Sequence, residues 1–405
     1  MSKPLLVHGL TQLATPAPGA GPLRGRELGE VRVLQDAYVL CRDGVVADVG
    51  VMRDVPSVAD AEELDARGLC AVPGLVDCHT HPAWGGDRVD EFALRAGGAS
   101  YEELHAAGAG ILATVRATRA LGEDGLRRRV ARHAGWMLAH GTTAWEGKSG
   151  YGLDRETELA SLRAIRAAGG SPTWLGAHAL PPEHPDADEY VRWAIADVLP
   201  DAAAVADAAD VFLERRAFDC EQSRRFLTAC RAAGLALRLH GDQFTESGAV
   251  PLAIELGARS VDHLEATGPA GIAALARSDV VGVLLPASAL FLDRPMPQAR
   301  ALVDAGAAVA LATDFNPGSS FTTSLPLVCS LACTQLHLSP AEALTAVTAN
   351  AAYVLGAAEH VGRIAPGYRA DLVLLDAADW RYLAYHLAGD VVAVAVSGGR
   401  IVHRR

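Results

Sequence analysis

Residues 71–82 read AVPGLVDCHTHP, an apolar run that ends in two histidines one residue apart. Side chains of a β-strand alternate between its two faces, so His79 and His81 would point the same way and could bind one metal ion. A His-x-His pair alone is weak evidence, because two packed or two exposed histidines give the same pattern. The interpretation therefore depends on the residues that end the other apolar runs of the chain.

Seven more apolar runs alternate with Ala-rich helical segments along the middle of the chain. The eight predicted strands are AVPGLVDCH (71–79), TTAWEGK (142–148), PTWLGAH (172–178), ADVFLE (209–214), LALRLH (235–240), SVDHL (260–264), VVGVLLP (280–286) and AAVALATD (307–314). The helical segments 156–169 and 223–234 both end at Gly, a common stop signal. Alternating strands and helices predict a parallel sheet, and eight such units predict an α/β protein with a (β/α)8 TIM-type barrel.

Polar side chains stand at the C-terminal tips of these runs, and in a barrel those tips meet on one face. They are His79, His81, Glu146, Lys148, His178, Glu214, His240, His263 and Asp314. Buried ionisable groups need partners, and three imidazoles with one carboxylate suit Zn²⁺ or Fe with one position open for water. The predicted metal ligands are His79, His81, His240 and Asp314. We expect the charges of Glu146, Lys148 and Glu214 to lie around them.

Both ends of the chain carry short β-rich runs broken by turns, such as the hairpin signal Asp43-Gly44. We predict a small β-sandwich domain built from both chain termini, residues 1–70 and 356–405, with the barrel at 71–355. At 405 residues the chain has the length for a barrel and such a companion.

The composition indicates what kinds of molecule the protein can bind and where it is found in the cell. A formal net charge of -12 argues against a nucleic-acid partner, and an anionic substrate would need a local arginine. The seven cysteines are scattered singly, which indicates a reduced, cytoplasmic protein without a disulfide framework. The first residues lack the pattern of a signal peptide, and no apolar run has the length of a membrane helix. We therefore expect a cytoplasmic protein that acts on a small molecule.

The GLVDCHTHP stretch (74–82), the strand-end histidines and the late LATD stretch (311–314) together resemble the amidohydrolase superfamily. Its members hold metal with a His-x-His pair, later histidines and a final Asp. The segment from Gly362 to Leu372, with its Pro-Gly and Ala-Asp-Leu, is similar to the hairpin that closes their terminal sheet domain. The fourth strand offers no lysine for a bridged metal pair, so the resemblance implies a single ion.

Longer strings resemble the imidazolonepropionase family within that superfamily. They are HPAWGGDRVDEF (81–92), GAGILATVRATR (108–119), EGKSGYGLD (146–154), LGAHALPPE (175–183), VDHLE (261–265), LLPASALFL (284–292) and LATDFNPGSS (311–320). That family hydrolyses 4-imidazolone-5-propanoate to N-formimidoyl-L-glutamate in histidine degradation. The resemblance implies a homodimer, and it implies that the substrate is held by Tyr151, Gln243, Asn316, Gly318 and Ser319.

The chemistry of such a ring opening suggests further roles. Asp314 could take a proton from a metal-activated water and pass it to the departing ring nitrogen. His263 would orient the water or polarise the carbonyl, and His178 would hydrogen-bond the developing oxyanion as well as contact substrate. Arg88 has the planar fork that suits the propionate carboxylate.

Simpler interpretations stay open for several of these residues. Arg88 could form an ion pair with Asp87 or Asp90, and His263 could be a core histidine bonded to Asp262. The segment 316–320 could be only a tight turn, His178 could only satisfy a loop carbonyl, and Tyr151 could merely pack under its loop. The remaining histidines are assigned no role in the chemistry: His8, His105, His133, His140, His184, His337, His360, His386 and His403.

The segment after His240 leaves one assignment open. It reads Gly241-Asp242-Gln243, where relatives often carry a carboxylate, so Asp242 could replace Gln243 in water activation.

Two other functions also stay open. A deaminase on the same metal frame is the alternative enzyme, although such enzymes usually place a Glu in the segment after His240. A barrel without catalysis is the alternative class, although it would typically have lost metal ligands.

Overall fold

The computed structural model of the protein describes residues 3–19, 21–98, 110–215 and 217–405. His105 and the first two residues of the 108–119 motif lie outside the described residues. Two eight-stranded sheets organise the chain, one built from its two ends and one from its middle. Within the described ranges, no helix is both long and apolar enough to cross a bilayer.

The terminal sheet takes strands from both chain ends, as predicted. Its strands, numbered in chain order, are β1 (Leu5–Pro16), β2 (Val31–Arg42), β3 (Val45–Val51), β4 (Glu62–Asp65), β5 (Cys70–Pro73), β14 (Leu372–Leu375), β15 (Val392–Ser397) and β16 (Arg400–Arg404). They pair in the order β16-β15-β14-β5-β1-β2-β3, with β4 also on β1. Leu13, Val39, Leu372 and Val394 belong to its buried core. The small β domain built from both termini is confirmed, and its strands form one continuous sheet.

The middle of the chain forms eight parallel strands, each hydrogen-bonded to the next in chain order. They are β6 (Leu75–Asp77), β7 (Thr142–Lys148), β8 (Ser171–Ala177), β9 (Ala208–Leu213), β10 (Ala236–Gly241), β11 (Ser260–His263), β12 (Val281–Leu284) and β13 (Val309–Leu311). Each overlaps one of the eight strands expected from the sequence, although residues 71–73 of the first expected strand belong to β5 of the terminal sheet. The (β/α)8 barrel is therefore confirmed.

Backbone hydrogen bonds just beyond β6 and β13 join the first and last barrel strands. The N–H of Asp314 donates to the carbonyl of His79 at 3.0 Å, and the N–H of His81 donates to the carbonyl of Phe315 at 2.9 Å. Thr80 and Phe315 form a parallel bridge at the same point. The barrel thus closes where the predicted metal ligands leave their strands.

Helices cover the barrel and connect its strands. The α-helices are Val89–Ala96, Ile111–Ala139, Arg155–Ala167, Ala187–Trp193, Leu199–Ala202, Cys220–Ala232, Ala249–Leu256, Pro269–Leu275, Pro286–Phe291, Ala299–Ala305, Leu325–Thr334, Pro340–Ala346, Ala349–Val354 and Tyr382–Tyr385. Short 3-10 helices lie at Gly25–Gly29 and Met52–Asp54, and a π-helical turn lies at Ala194–Val198.

The two helices expected from the sequence have local signals at both ends. Asp154 and Asp219 cap their N-termini, each accepting a hydrogen bond from the N–H of the third helical residue. Gly169 and Gly234 follow their C-termini with φ of 87° and 89°, a region that glycine enters without steric cost.

Packing of these helices fixes the barrel strands beneath them. Trp174 of β8 is buried against Phe226, with ring centroids 5.0 Å apart. Ile165 and Leu227 are also fully buried. Truncating one large side chain of this layer to Ala costs about 3–5 kcal/mol. The tips of the strands therefore stand on a rigid scaffold, which positions the side chains they carry.

Candidate metal and substrate site

Four ligand atoms converge at the C-terminal mouth of the barrel. Nε2 of His81 lies 3.3 Å from Nε2 of His79 and 3.4 Å from Nε2 of His240. Oδ1 of Asp314 lies 3.5 Å from Nε2 of His79 and 3.4 Å from Nε2 of His81. Metal–ligand bonds of about 2.0–2.1 Å in a tetrahedron separate neighbouring ligand atoms by about 3.3–3.4 Å. His79, His81 and Asp314 therefore lie close enough to share one small ion, and His240 lies within 3.4 Å of His81.

The other ring nitrogen of two of these histidines faces a buried carboxylate. Nδ1 of His79 is 2.6 Å from Oδ2 of Asp262, and Nδ1 of His240 is 2.9 Å from Oδ2 of Asp210. The Asp262 carboxylate accepts from Nδ1 of His79 and so aims its Nε2 at a metal, whereas Asp210 and His240 are in close ion-pair contact without hydrogen-bond geometry. Sequence reasoning missed both carboxylates as partners of the ligands. Their signal was an aspartate inside each of two otherwise apolar strands.

The pKa values of the three histidines shift in different directions. Burial lowers the pKa of His240 to about 3 and holds the pKa of His81 well below its usual range. Burial and the charge of Lys148 act against protonation of His79, but its hydrogen bonds to Asp262 and Asp314 outweigh them and raise its pKa. Burial opposes ionisation of Asp314, but hydrogen bonds from His79 and His81 outweigh it and keep that pKa well below the ordinary range. Neutral imidazoles beside a carboxylate are the form that binds a metal ion.

Two residues at the mouth have positive φ angles, which residues other than glycine rarely adopt. His263 has φ of 84° and Asp314 has φ of 53°. Positive φ at a non-glycine residue concentrates at functional sites, where the surrounding structure holds it.

His263 lies beside the four ligand atoms. One of its ring nitrogens is within 4.8 Å of the ligand nitrogens of His79 and His240. Its Nδ1 is 3.4 Å from Oε1 of Glu265, while Asp262 is bonded to His79. The alternative of a core histidine bonded to Asp262 is therefore wrong.

A cavity of about 520 Å³ opens above these groups. The sequence-predicted residues that line it are His81, Arg88, Tyr151, His178, Gln243, His240, His263, Asp314, Asn316, Gly318 and Ser319. His79 is fully buried beneath it. All the predicted site residues are thus brought to one place.

His178 is held by the turn that follows β7. Its Nδ1 lies 3.0 Å from the carbonyl oxygen of Gly150, so Nδ1–H donates and Nε2 is left as an acceptor. Burial lowers the pKa of His178 to about 4, which makes the ring neutral at pH 7. The expected hydrogen bond to an oxyanion would require the protonated ring. The neutral ring suits a substrate N–H instead.

Arg88 is paired within the cavity, but not with either expected partner. Its Nε and Nη2 each lie 2.5 Å from an oxygen of Glu91, while Nη1 is 3.5 Å from Oγ1 of Thr114. Asp87 accepts from a backbone N–H instead. The pair lies in the cavity wall, with both side chains about one-eighth exposed.

The 316–320 loop is both a turn and part of the cavity wall. Oδ1 of Asn316 accepts from the N–H groups of Gly318 and Ser319 at 2.8 Å. Its Nδ2 donates to the carbonyl oxygen of Asp314 at 2.6 Å. A side chain at Gly318 would come within 3.1 Å of Nη1 of Arg88. The turn thereby lies between the backbone of Asp314 and the side chain of Arg88.

Asp242 and Gln243, the two residues after His240 whose roles the sequence left open, have different surroundings in the structure. Asp242 accepts from the backbone and hydroxyl of Ser247 and from Oγ1 of Thr267, so it is a structural group. Gln243 lines the cavity. Glu214, expected near the ligands, accepts from the N–H groups of Phe244 and Thr245 and shapes this loop.

Comparison with known proteins shows the family to which the chain belongs. A model of the amidohydrolase family matches residues 70–402. The chain belongs to the amidohydrolase family. Among its relatives, the imidazolonepropionase of Rubrobacter xylanophilus is 60% identical, with 98% of each chain covered. Those of Chloroflexus aggregans and Geobacillus kaustophilus are 46% and 41% identical, each covering at least 98% of both chains.

Solved amidohydrolase-like structures agree in fold at low identity. Guanine deaminase of E. coli has a TM-score of 0.76 at 16% identity, covering 100% of both chains. A zinc-bound adenosine deaminase of Xanthomonas campestris has a TM-score of 0.69 at 18% identity, covering 98% of this chain and 92% of that one. Amidohydrolase family members depend on metal, in keeping with the converging ligand atoms.

Proposed function

We propose that this protein is an imidazolonepropionase, which opens the ring of 4-imidazolone-5-propanoate with water to give N-formimidoyl-L-glutamate. One observation carries the proposal: the Arg88 guanidinium lines the same cavity as His81, His240 and Asp314, with His79 buried beside His81. That cavity therefore offers a cation for a carboxylate and a hydrolytic centre for a ring amide. Relatives of this name at 41–60% identity over nearly the whole chain support it.

We propose that His79, His81, His240 and Asp314 hold one ion, Zn²⁺ or Fe³⁺, because the three imidazoles and one carboxylate form a borderline donor set. When bound, the ion supplies Lewis acidity that makes water a nucleophile near neutral pH.

Asp314 is the proposed proton carrier. Its Oδ1 faces the histidines, while its Oδ2 lies 3.4 Å from Oγ of Ser319 at the cavity wall. In the reaction the water oxygen bonds to the ring carbonyl carbon, the carbon–nitrogen bond breaks, and the nitrogen receives a proton from the water. Oδ2 of Asp314 is the atom proposed to carry that proton.

The imidazoles above the ligands position the reacting groups. We propose that His263 orients the water and that neutral His178 accepts a hydrogen bond from a substrate N–H. Tyr151 lies against His178, with ring centroids 5.3 Å apart, and limits where the substrate ring can lie.

Arg88 is the proposed anchor for the propionate. Glu91 engages Nε and Nη2, so Nη1 and the adjoining edge remain for the substrate. Gln243, Asn316, Gly318 and Ser319 complete the proposed contacts through amide, hydroxyl and backbone groups.

The deaminase alternative is less well supported by the same cavity. Deaminases usually place a carboxylate after the strand-five histidine, where this chain has Gln243 at the cavity and Asp242 tied to Ser247 and Thr267. A carboxylate-binding arginine is also superfluous for a purine or pyrimidine.

Three broader expectations remain proposals. The described cysteines are free, which fits a reduced cytoplasm. The homodimer rests on the family resemblance. The domain division at 1–70, 71–355 and 356–405 also stays a prediction, although β5 extends the terminal sheet to Pro73.

The test is to incubate purified protein with freshly made 4-imidazolone-5-propanoate and to identify the product while ammonia is assayed in parallel. We expect loss of the substrate's ultraviolet absorbance, formation of N-formimidoyl-L-glutamate and no ammonia. Ammonia released from an amino-heterocycle by the metal-loaded protein, with the imidazolone untouched, would establish the deaminase instead.

A further inference from the structure

A lysine lies fully buried inside the barrel, beneath the ligand atoms. Lys148 of β7 has a side chain with no exposed surface. Its Nζ is 2.8 Å from Oδ2 of Asp210, 3.0 Å from Oε2 of Glu146 and 3.7 Å from Oδ2 of Asp262. Burying an ammonium is costly unless it is closely paired, so this arrangement calls for a reason.

Two of those carboxylates are the ones that hold metal ligands. Oδ2 of Asp262 faces Nδ1 of His79, and Oδ2 of Asp210 faces Nδ1 of His240. In both cases the oxygen that meets the imidazole is also the one nearest the ammonium. The Lys148 ammonium is thus paired with the carboxylates that face two of the four ligands.

Barrel geometry explains how one side chain reaches both. Lys148, Asp210 and Asp262 come from β7, β9 and β11, which are alternate strands, and alternate strands of such a barrel contribute inward side chains to one layer. The ligands stand above this layer, on or after β6, β10 and β13.

We propose that Lys148 is a positioning residue for the metal centre, fixing the imidazoles of His79 and His240 through Asp262 and Asp210. Without its charge, the two carboxylates repel each other, and their positions against the two imidazoles are no longer fixed. The inference rests on the four-ligand site of the proposed function, but not on the identity of the substrate.

A second buried cation gives a matched comparison. Arg238 of β10 is 2% exposed and pairs with Glu146, and it also donates to Oγ1 of Thr173 and to the carbonyl of Val354. Its ion pair and hydrogen bonds include neither carboxylate that faces a ligand, and Asp262 acts on it only through space. Lys148 and Arg238 are therefore both buried charges of one cluster, and of the two only Lys148 pairs directly with the carboxylates that face ligands.

The experiment compares Lys148→Met with Arg238→Met in purified full-length protein stripped of metal. Zn²⁺ affinity is measured by competition with a chromophoric chelator, and thermal unfolding is followed with and without Zn²⁺. We expect Lys148→Met to weaken Zn²⁺ binding about 10–100-fold, the range for loss of groups that orient ligands. Arg238→Met should change Zn²⁺ affinity less than about threefold although it lowers the metal-free melting temperature.

A purely structural role gives a different result. It would lower the melting temperature of the Lys148→Met protein equally with and without Zn²⁺ and leave Zn²⁺ affinity as in the wild type, which would overturn the proposal. Equal losses of affinity in both variants would overturn it too. If Lys148→Met does not fold, Lys148→Gln, which keeps a donor but removes the charge, is measured against the same expectation. Because Zn²⁺ binding is the readout, absence of turnover on the imidazolone would reject the substrate alone.

Discussion

The backbone N–H of Asp314 donates to the carbonyl oxygen of His79, so a hydrogen bond that closes the barrel joins two of the four converging ligand residues. Oδ1 of Asp314 then lies 3.5 Å from Nε2 of His79. The hydrogen bond that closes the barrel therefore also places Asp314 beside His79. The last strand can deliver its carboxylate only when it is in register with the first.

Asp314→Asn is expected to reduce kcat by at least about 10²–10⁴-fold, because the amide cannot carry a proton and binds a metal more weakly. Steady-state assays on 4-imidazolone-5-propanoate, with circular dichroism to check folding, measure this. Ser319→Ala, which removes only the hydroxyl 3.4 Å from Oδ2, is the milder comparison. A folded Asp314→Asn enzyme with wild-type kcat would remove the proposed proton transfer.

Arg88→Ala is expected to raise KM about 10–100-fold with a smaller change in kcat, since a charge-assisted contact to a carboxylate contributes about 1.5–3 kcal/mol. Arg163→Ala is the control, because Arg163 pairs with Glu123 at the surface and does not line the cavity. An unchanged KM in Arg88→Ala would mean that the carboxylate is held elsewhere.

Gly150→Ala is expected to disturb His178. Gly150 has φ of 99°, and an added Cβ would come within 3.0 Å of Nδ1 of His178. Gly169→Ala is matched to it, with φ of 87° and nothing within 4 Å of the added atom. Gly169→Ala should lose about 1–2 kcal/mol from backbone strain. Gly150→Ala should lose more, because its added Cβ also comes within 3.0 Å of the carbonyl oxygen of Leu175, and only this variant should lose kcat. Equal activity in the two variants would contradict the placement of His178 in the reaction.

His133 predicts a pH dependence of stability away from the ligands. Burial lowers its pKa to about 4, and its Nδ1 lies 2.8 Å from the carbonyl oxygen of Pro82. Between pH 6.5 and pH 4 the unfolded chain binds a proton at this residue that the folded chain does not, so folding free energy is lost as pH falls through that window. Each such group contributes a slope of up to about 1.4 kcal/mol per pH unit.

The substitution His133→Gln removes the group that binds this proton, and with it the contribution of His133 to the pH dependence of the folding free energy. Denaturant unfolding of metal-free protein at about pH 5, 6 and 7 should show a shallower pH slope for this variant than for the wild type. Identical slopes would mean that His133 titrates alike in the folded and unfolded states.

Much of this architecture could be predicted from the sequence because its signals are local. The eight strands have apolar runs, and the polar residues that end them mark the mouth of the barrel. Asp314 and His240 were predicted as ligands on that pattern alone. The helix caps at Asp154 and Asp219 likewise act within one turn.

The partners of these groups could not be predicted, because they depend on register and on which strands alternate. Asp210 reaches His240 across neighbouring strands, and Asp262 reaches His79 across the barrel. Arg88 was expected beside Asp87 or Asp90, but the helix Val89–Ala96 brings Glu91, three residues on, to its side.

The central claim is that one ion at the barrel mouth carries the hydrolysis. The most direct measurement titrates metal-free protein with Zn²⁺, and separately with iron, while turnover of 4-imidazolone-5-propanoate and bound metal per chain are recorded together. The account predicts no turnover without metal and a rate that rises in proportion to bound metal until one ion per chain is reached. Full turnover in metal-free protein, or none with one ion bound, would contradict it.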